Sequence, residues 1–243
     1  MTPARLWLPY CGPGATPGDL LARWNLDPWL LAALAVALFG LMVRVSGRER
    51  LFGLGAWIVL ALVFVSPLCA LSSALFAART VHHVLLVAVA APLAAWALPK
   101  RGVGPLALAT AVQAAVFWTC HAPDAYALAM SDDGAYWLMQ ASLFASALWF
   151  WMAVRRASAL GAVAALLAAM VAMGLLGAVI TFAEAPLYGP HLLTTAAWAL
   201  TPLGDQQAAG LIMWAPAAAI YLFAALATLG RWIGPDRAAM RSA

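Results

Sequence analysis

The chain has 243 residues, of which 66% are hydrophobic and only 9% are charged. An ordinary soluble domain is about a quarter charged, so this composition excludes a soluble globular protein and indicates one that lies in a membrane. The formal net charge is +4, but the basic residues are not clustered into a patch, which argues against a nucleic-acid partner.

Apolar runs of about 17 to 25 residues recur along the chain, which is the length that a hydrocarbon core about 30 Å thick selects. They predict an all-α, polytopic transmembrane helical bundle of about seven spans, with residues 1–243 forming a single domain. Residues 1–27 contain no sustained apolar region, so we expect a short extracytoplasmic segment and no cleaved signal peptide. The predicted spans are residues 28–45, 51–71, 80–98, 104–120, 136–154, 159–182 and 208–230, and a short tail covers residues 231–243.

Basic residues fall in alternate connections between the predicted spans and in the C-terminal tail, the distribution that the positive-inside rule assigns to the cytoplasm. The other side carries most of the Asp and Glu residues. We therefore expect the N-terminus outside and the C-terminus in the cytoplasm. The basic residues on the cytoplasmic side are Arg44, Arg48, Arg50, Lys100, Arg101, Arg155, Arg156, Arg231, Arg237 and Arg241.

Side chains with soft or imidazole ligand atoms fall toward the predicted outer side. These groups suit copper, especially Cu(I), whereas hard cations prefer carboxylates and water. The pattern predicts a copper site near the outer surface. The alternative is that each Cys is a small buried hydrophobe and each His caps a helix end or bonds a neighbour. The residues concerned are Cys69, His82, His83, Cys120, His121, His191 and Met213.

Helix geometry restricts which of these side chains can share a site. Neighbours on a helix point about 100° apart, so His82 and His83 do not easily face one ion. Arg79 lies four residues before His83 and therefore shares its face. A guanidinium discourages a second cation nearby, so this face suits an anionic group such as a carboxylate or a haem propionate.

Three further segments mark the ends of apolar helices. The run SPLCALSSALF predicts a helix end followed by a short amphipathic turn at the membrane interface, with an ordinary turn as the alternative. Pro123 is expected to stop the fourth helix. Thr201 or Asp205 can cap the last helix, and Gln206 lies on its first turns. The only lysine lies in a predicted cytoplasmic loop, which excludes a retinal Schiff base within the bundle.

Seven segments together resemble a known family, the CtaG-like multi-spanning assembly factors of haem-copper cytochrome c oxidases. The resemblance covers nearly the whole chain, and the pairing of SPL-x-x-LS with DQQ-x-x-G-x-x-MW is its most specific part. The matching segments are WNLDPWLL, SPLCALSSALFAA, HHVLLVAVAAPL, CHAPDAYALAM, LMQASLFASALWFW, GAVITFAEAPLY and LTPLGDQQAAGLIMW.

The resemblance implies a non-enzymatic, multi-pass protein of the bacterial inner membrane that helps a terminal oxidase to mature, through the copper of its catalytic subunit. Its expected partners are that catalytic subunit and a periplasmic copper chaperone. The residues that match the family's motifs are His83, His121, Asp205, Gln206, Met213 and Trp214, with Pro123 and Tyr126 in the same segments.

The chain also departs from the motifs that the resemblance leads us to expect. Arg79 stands in place of a His, His82 in place of Gln, Cys120 in place of Trp and Gln140 in place of another His. Either Cys120 and Cys69 replace lost ligands, or the protein acts without binding metal. The three cysteines, Cys11, Cys69 and Cys120, face an oxidising compartment and could include one disulfide.

Two other functions fit the composition. A copper transporter would need polar or Met residues through the bundle to the cytoplasmic side, and Met170 and Met173 are the main such residues. A haem or quinone redox protein would need two facing His at matching depth, which only His83 and His121 could supply. Outer-only ligands favour delivery at one face, so assembly of an oxidase is the preferred hypothesis.

Overall fold

The computed structural model describes residues 7–99 and 104–234, and within those ranges the regular elements are helices, as predicted. π-helical turns at Leu86–Ala90 and Met213–Ala217 join α4 to α5 and α10 to α11, and short 3-10 turns lie at Leu20–Ala22, Gly189–His191 and Thr195–Trp198. The α-helices are α1 (Pro28–Arg44), α2 (Gly47–Val65), α3 (Leu68–Ala74), α4 (Phe76–Leu85), α5 (Ala91–Ala97), α6 (Leu106–Cys120), α7 (Pro123–Ala129), α8 (Asp133–Val154), α9 (Ala159–Thr181), α10 (Pro202–Ile212) and α11 (Ala218–Ile233).

Four of the described helices are long and apolar enough to cross a membrane, which confirms the polytopic helical bundle. α2 and α3 pass the same test together but are bent by 48° at their junction. α1 and α6 are shorter apolar helices. Seven spans would result if α1, α6 and the bent pair each crossed the membrane in addition to the four long helices. The number of spans and the orientation of the termini remain predictions. The four long helices are Phe76–Ala97, Asp133–Val154, Ala159–Thr181 and Pro202–Ile233.

The predicted second span, residues 51–71, is broken after Val65, where the run SPLCALSSALF predicted a helix end. α2 stops at Val65 because Ser66 is extended (ψ 169°) and the residue after it is a proline, which lacks the N–H that a continuing helix needs. Ser66 closes the end by donating its hydroxyl to the carbonyl of Leu62. α3 follows at an angle and is largely buried within the bundle, and its position at the membrane interface remains a prediction.

The predicted last span is too short at its beginning. Thr201 accepts a hydrogen bond from the N–H of Gly204 and so starts the helix at Pro202, six residues before the predicted start at 208. The helix then runs 32 residues, about 48 Å at 1.5 Å per residue, which exceeds a hydrocarbon core about 30 Å thick. Pro216 lies in the π-helical turn, where the widened backbone accommodates its missing N–H.

The N-terminal segment is fixed to one end of the bundle by several bonds. Asp27 caps α1 and also accepts the hydroxyl of Tyr10 at 2.9 Å. Asn25 donates to the carbonyl of Phe64, at the end of α2. A disulfide joins Cys11 to α3 across 58 residues. The described part of the segment therefore lies on the bundle and is not a free tail.

This disulfide has a measurable consequence. Cys11 pairs with Cys69, and Cys120 is free and buried. Cys11→Ser with Cys69→Ser is expected to lower the free energy of unfolding by about 4 kcal/mol, because a cross-link over 58 residues restricts the unfolded chain by roughly that amount. Alkylation of the denatured protein, followed by mass spectrometry, should add one group before reduction and three after it. Three groups without reduction would contradict the pairing.

The helices pack so that the bundle has two chemically different ends. α10 packs against α4 and α9, while α5 packs against α2 and α8. We call the end where α4 and α10 begin and α6 and α9 finish the histidine end, because all four histidines lie there. We call the end where α5, α8 and α11 finish the arginine end. By the charge distribution, the histidine end is the predicted outer side.

Candidate functional site

Two histidines from different helices face each other inside the histidine end. His83 lies on α4 and His121 directly follows α6, and their exposed fractions are 0% and 2%. His83 Nδ1 lies 3.3 Å from His121 Nε2, and the two rings are nearly perpendicular. The structure therefore brings together His83 and His121, two candidates from distant parts of the sequence, at these two nitrogens.

A chain of hydrogen bonds fixes the protons on this pair. His121 Nδ1 lies 2.7 Å from the carbonyl of Phe117, and since a carbonyl only accepts, this nitrogen carries the proton. His121 Nε2 then accepts from His83 Nδ1, and His83 Nε2 accepts from the amide of Gln140 at 3.3 Å. Each imidazole carries one proton, and both rings are satisfied by protein groups alone.

Arg79 lies one turn before His83 and is fully buried, with an exposed fraction of 1%. Its guanidinium stands 5.3 Å from the ring centre of Tyr136, and Nη2 donates to the sulfur of Met130. Nε and Nη1 have no hydrogen-bond partner, and no carboxylate in the described ranges forms a salt bridge with it. A buried cation that is compensated by an aromatic face and a sulfur atom but by no carboxylate is costly, and it makes the surroundings of His83 electropositive.

His82 is equally buried and lies beside the pair. Its ring packs edge-on against Phe64 on α2, with ring centres 5.1 Å apart, and edge-on against His83, with ring centres 5.7 Å apart. That His82 and His83 do not face one ion stays a prediction.

Asp205 caps a helix other than the one that contains it. Its carboxylate accepts hydrogen bonds from the N–H groups of Phe76, at 2.6 Å, and Ala77, at 3.1 Å. These are the first N–H groups of α4. Leu75, the residue that precedes α4, has no side-chain acceptor to cap them. The prediction that Asp205 could cap the last helix is therefore wrong, because Thr201 fills that position and frees Asp205 to bridge α10 and α4.

Gln206 holds the connection between α9 and α10. Its side-chain oxygen accepts from the N–H of Leu187 at 2.6 Å, and its amide donates to the carbonyls of Ile180 and Ala185. The neighbouring Asp205 and Gln206 thus fix the beginning of α4 and the end of α9, the two helix ends that border the histidine pair.

The fourth buried histidine, His191, was not assigned a partner from the sequence. Its Nδ1 lies 3.2 Å from the carbonyl of Ala74, and its Nε2 lies 2.6 Å from the hydroxyl of Tyr126. The carbonyl requires a proton on Nδ1, so Nε2 accepts the tyrosine hydroxyl. Pro123 occupies the first position of α7 and so starts the short helix that carries Tyr126. Burial lowers the pKa of His191 to about 3 and raises the pKa of Tyr126.

This depressed pKa makes stability depend on pH. The unfolded chain takes up a proton at His191 below about pH 6.5, while the folded chain resists it down to about pH 3, so stability falls as the pH is lowered through this range. At pH 5 the loss relative to pH 7.5 is about 2 kcal/mol from this residue. Unfolding curves at pH 7.5 and pH 5 should show that His191→Gln loses about 2 kcal/mol less stability than the wild type over this range. Equal pH dependence of the two proteins would refute the depressed pKa of His191.

The remaining candidates do not converge on the histidine pair. Cys69 is in the disulfide and has no thiolate to offer a metal. The sulfur of Cys120 lies 3.8 Å from the hydroxyl of Ser142 on α8. Met213 is fully buried where the π-helical turn begins. Trp214 is 44% exposed and packs edge-on against Phe182, outside the site.

The donor set of the pair fits a soft ion of low coordination number. Across the described ranges, no group of three or more His, Cys, Asp or Glu residues lies close enough to hold a metal ion. His83 and His121 supply two nitrogens in a buried place, and imidazole is a ligand that copper accepts. Their separation is that of a hydrogen bond, so an ion between them has to displace that bond, and Arg79 opposes additional positive charge.

Comparison with known proteins identifies the family. No curated protein and no solved structure matches this chain. The sequence model of the cytochrome c oxidase caa3 assembly factors, the CtaG family, matches residues 30–234, which include the helical bundle and the histidine end just described. The chain therefore belongs to the family of cytochrome c oxidase caa3 assembly factors.

Proposed function

We propose that this assembly factor helps to insert copper into the catalytic subunit of its oxidase at the periplasmic face of the bacterial inner membrane, and that it is not itself an enzyme. The His83–His121 pair is the transient Cu(I) acceptor. The observation that carries this proposal is the facing of two singly protonated imidazoles, with nitrogens 3.3 Å apart, buried inside the histidine end. Copper is cargo here, supplied by a periplasmic copper chaperone.

Delivery at one face is supported by the distribution of ligands along the bundle. The four histidines and the disulfide lie at the histidine end, and disulfides persist in oxidising compartments such as the periplasm. Toward the arginine end the described spans carry Met170 and Met173 on α9 and a buried hydrogen bond from Gln113 of α6 to Tyr221 of α11, but no His or Cys. A copper transporter would need a continuous path of ligands, so this arrangement favours handover at the outer face.

A haem redox function gains no support from the geometry. Two axial histidines bind on opposite sides of a haem, so the macrocycle has to lie between them. The rings of His83 and His121 instead bond each other directly, with centres 5.1 Å apart.

A metal-free scaffold is the second candidate function, and one observation favours it. The hydrogen bonds from Phe117 through His121 and His83 to Gln140 satisfy both rings without an ion. In that case the buried polar network would shape the histidine end for docking on the oxidase.

Copper content of the oxidase separates these two functions. In host cells that lack this chain, the purified catalytic subunit is expected to retain haem but to lose most of its copper. The wild-type chain should restore the copper, whereas His83→Ala with His121→Ala, expressed to the same level, should not. Cys120→Ser serves as the control, because Cys120 bonds Ser142 and should restore copper fully. Restoration by the double variant would reject the ion-acceptor role.

A further inference from the structure

A large cavity lies at the arginine end, away from the histidines. It has a volume of about 750 Å³, within the roughly 300 to 1,000 Å³ range of ordinary ligand pockets. It opens between α5, α8, α9 and α11. Its walls include Pro92 and Trp96 of α5, Leu166 of α9, and Ile220 and Ala224 of α11.

Helix packing explains why the space is there. α9 packs along α11, and α5 packs along α8, whereas α8 and α9 make few contacts with each other. The floor is formed by Trp151 of α8, whose ring stacks on Tyr221 of α11 with centres 5.5 Å apart. Trp151 also donates its indole N–H to the carbonyl of Val87, which fixes the floor in position.

Two arginines stand at the mouth of the cavity. Arg155 donates to the carbonyls of Ala95 and Leu98 at the end of α5, and its guanidinium lies 5.2 Å from the ring centre of Trp96. Arg231 of α11 donates Nε to the carbonyl of Ala227. Carbonyl bonds orient a guanidinium without neutralising it, so both side chains keep their positive charge at the mouth. The carboxylate of Glu49 also acts on Arg155 and offsets part of this charge.

The depth of the cavity matches half of a bilayer. Its walls extend from Ala88 to Trp96 on one side and from Ile220 to Trp232 on another. At 1.5 Å per residue these stretches measure about 12 and 18 Å, close to half of a hydrocarbon core about 30 Å thick. Trp96 and Trp232 lie near the mouth, where tryptophan is enriched at the boundary between hydrocarbon and headgroups.

We propose that this cavity binds one anionic phospholipid of the surrounding bilayer. An acyl chain occupies the apolar interior between α5 and α11, and the phosphate lies against Arg155 and Arg231 at the mouth. Basic pockets between transmembrane helices bind anionic headgroups in this manner, because the guanidinium supplies charge and hydrogen bonds together. The site is separate from the histidine end, so it stands independently of the copper proposal.

Native mass spectrometry of the delipidated full chain tests this proposal, with dioleoyl-phosphatidylglycerol and dioleoyl-phosphatidylcholine added in parallel. We expect one phosphatidylglycerol per chain, bound about thirtyfold more tightly than phosphatidylcholine. This ratio follows because each of the two arginines is expected to contribute the usual attraction between a basic residue and an anionic headgroup. Arg155→Gln with Arg231→Gln should remove that preference. Arg231→Gln alone should remove part of it and leaves the bonds from Arg155 to α5 in place, which guards against a folding defect.

Two further variants separate the cavity from general surface charge. Arg44→Gln with Arg48→Gln removes two exposed arginines that do not line the cavity, and it should leave the preference unchanged. Ala224→Phe keeps both arginines at the mouth but fills the interior, and it should abolish retention of either lipid. Equal binding of the two lipids, loss of the preference in the Arg44 and Arg48 control, or full binding by Ala224→Phe would overturn the proposal.

Discussion

Replacement of Asp205 by Ala is expected to lower the free energy of unfolding by about 3 kcal/mol, or the unfolding midpoint by on the order of 10 °C. The buried carboxylate holds the first two N–H groups of α4, and its removal leaves the buried N–H of Phe76 and the partly buried N–H of Ala77 without their acceptor. α4 carries Arg79, His82 and His83, so a frayed beginning would also disturb the candidate site. Thermal unfolding in detergent measures the change.

An exposed cap on another helix provides the matched control. Asp132 accepts from the N–H of Ala135 at the beginning of α8 and is exposed. Asp132→Ala should therefore cost only about 1 kcal/mol, since water replaces the lost bond. Asp205→Asn keeps one acceptor oxygen and should fall between the two. If Asp205→Ala lowers the free energy of unfolding no more than Asp132→Ala does, then the cap that Asp205 of α10 provides for α4 contributes little to stability.

Replacement of Gly210 by Ala is expected to destabilise the protein by about 3 kcal/mol, at the upper end of the overpacking range. A methyl group there would lie 2.6 Å from the carbonyl oxygen of Gly177 and 2.7 Å from the backbone nitrogen of Thr181. Both are backbone atoms of α9, so α10 would have to move away from it. Small residues allow this close approach of helices in a membrane. Thermal unfolding in the same detergent measures the loss.

Gly230 on α11 is the control for this prediction. A methyl group there meets nothing within 4 Å, so Gly230→Ala should leave stability unchanged or raise it slightly through the better helix propensity of Ala. Gly177→Ala should behave like Gly210→Ala, because its methyl group would lie 2.7 Å from the carbonyl oxygen of Gly210. Equal stability of Gly210→Ala and Gly230→Ala would show that the contact between α9 and α10 is not tight.

The sequence predicted those features that depend on local chemistry. Apolar length gave the helical bundle, Pro123 ended the fourth helix, and Thr201 was one of two candidate caps for the last one. The bundle follows from the apolar length of whole segments, whereas the two helix boundaries depend on residues within about one turn of each other, where geometry is nearly fixed.

Features that join distant segments could not be read from local patterns. Asp205 looked like an ordinary cap, and only the packing of α10 against α4 shows that it caps a helix 129 residues earlier in the chain. The choice of Cys11 and Cys69 from three cysteines likewise depends on how the N-terminal segment lies over α3. His191 gave no local signal for its bond to Tyr126, which depends on the connection between α9 and α10.

The position of Arg79 bears directly on the copper proposal. Its buried guanidinium lies on the same helix face as His83, one turn away, and it repels an added cation. Such repulsion suits a carrier that must release its ion to a client, since it weakens retention. It also means that Cu(I) binding at the pair has to overcome both this charge and the hydrogen bond between the rings.

Cu(I) binding by the purified protein is the most direct test of the copper proposal. The wild type, His83→Ala with His121→Ala, and Cys120→Ser would be loaded anaerobically, with the disulfide intact, and their copper measured against a competing Cu(I) chelator. We expect about one Cu(I) per chain in the wild type and in Cys120→Ser, and none in the double histidine variant. A wild type that holds no copper, or a double variant that holds as much as the wild type, would contradict it.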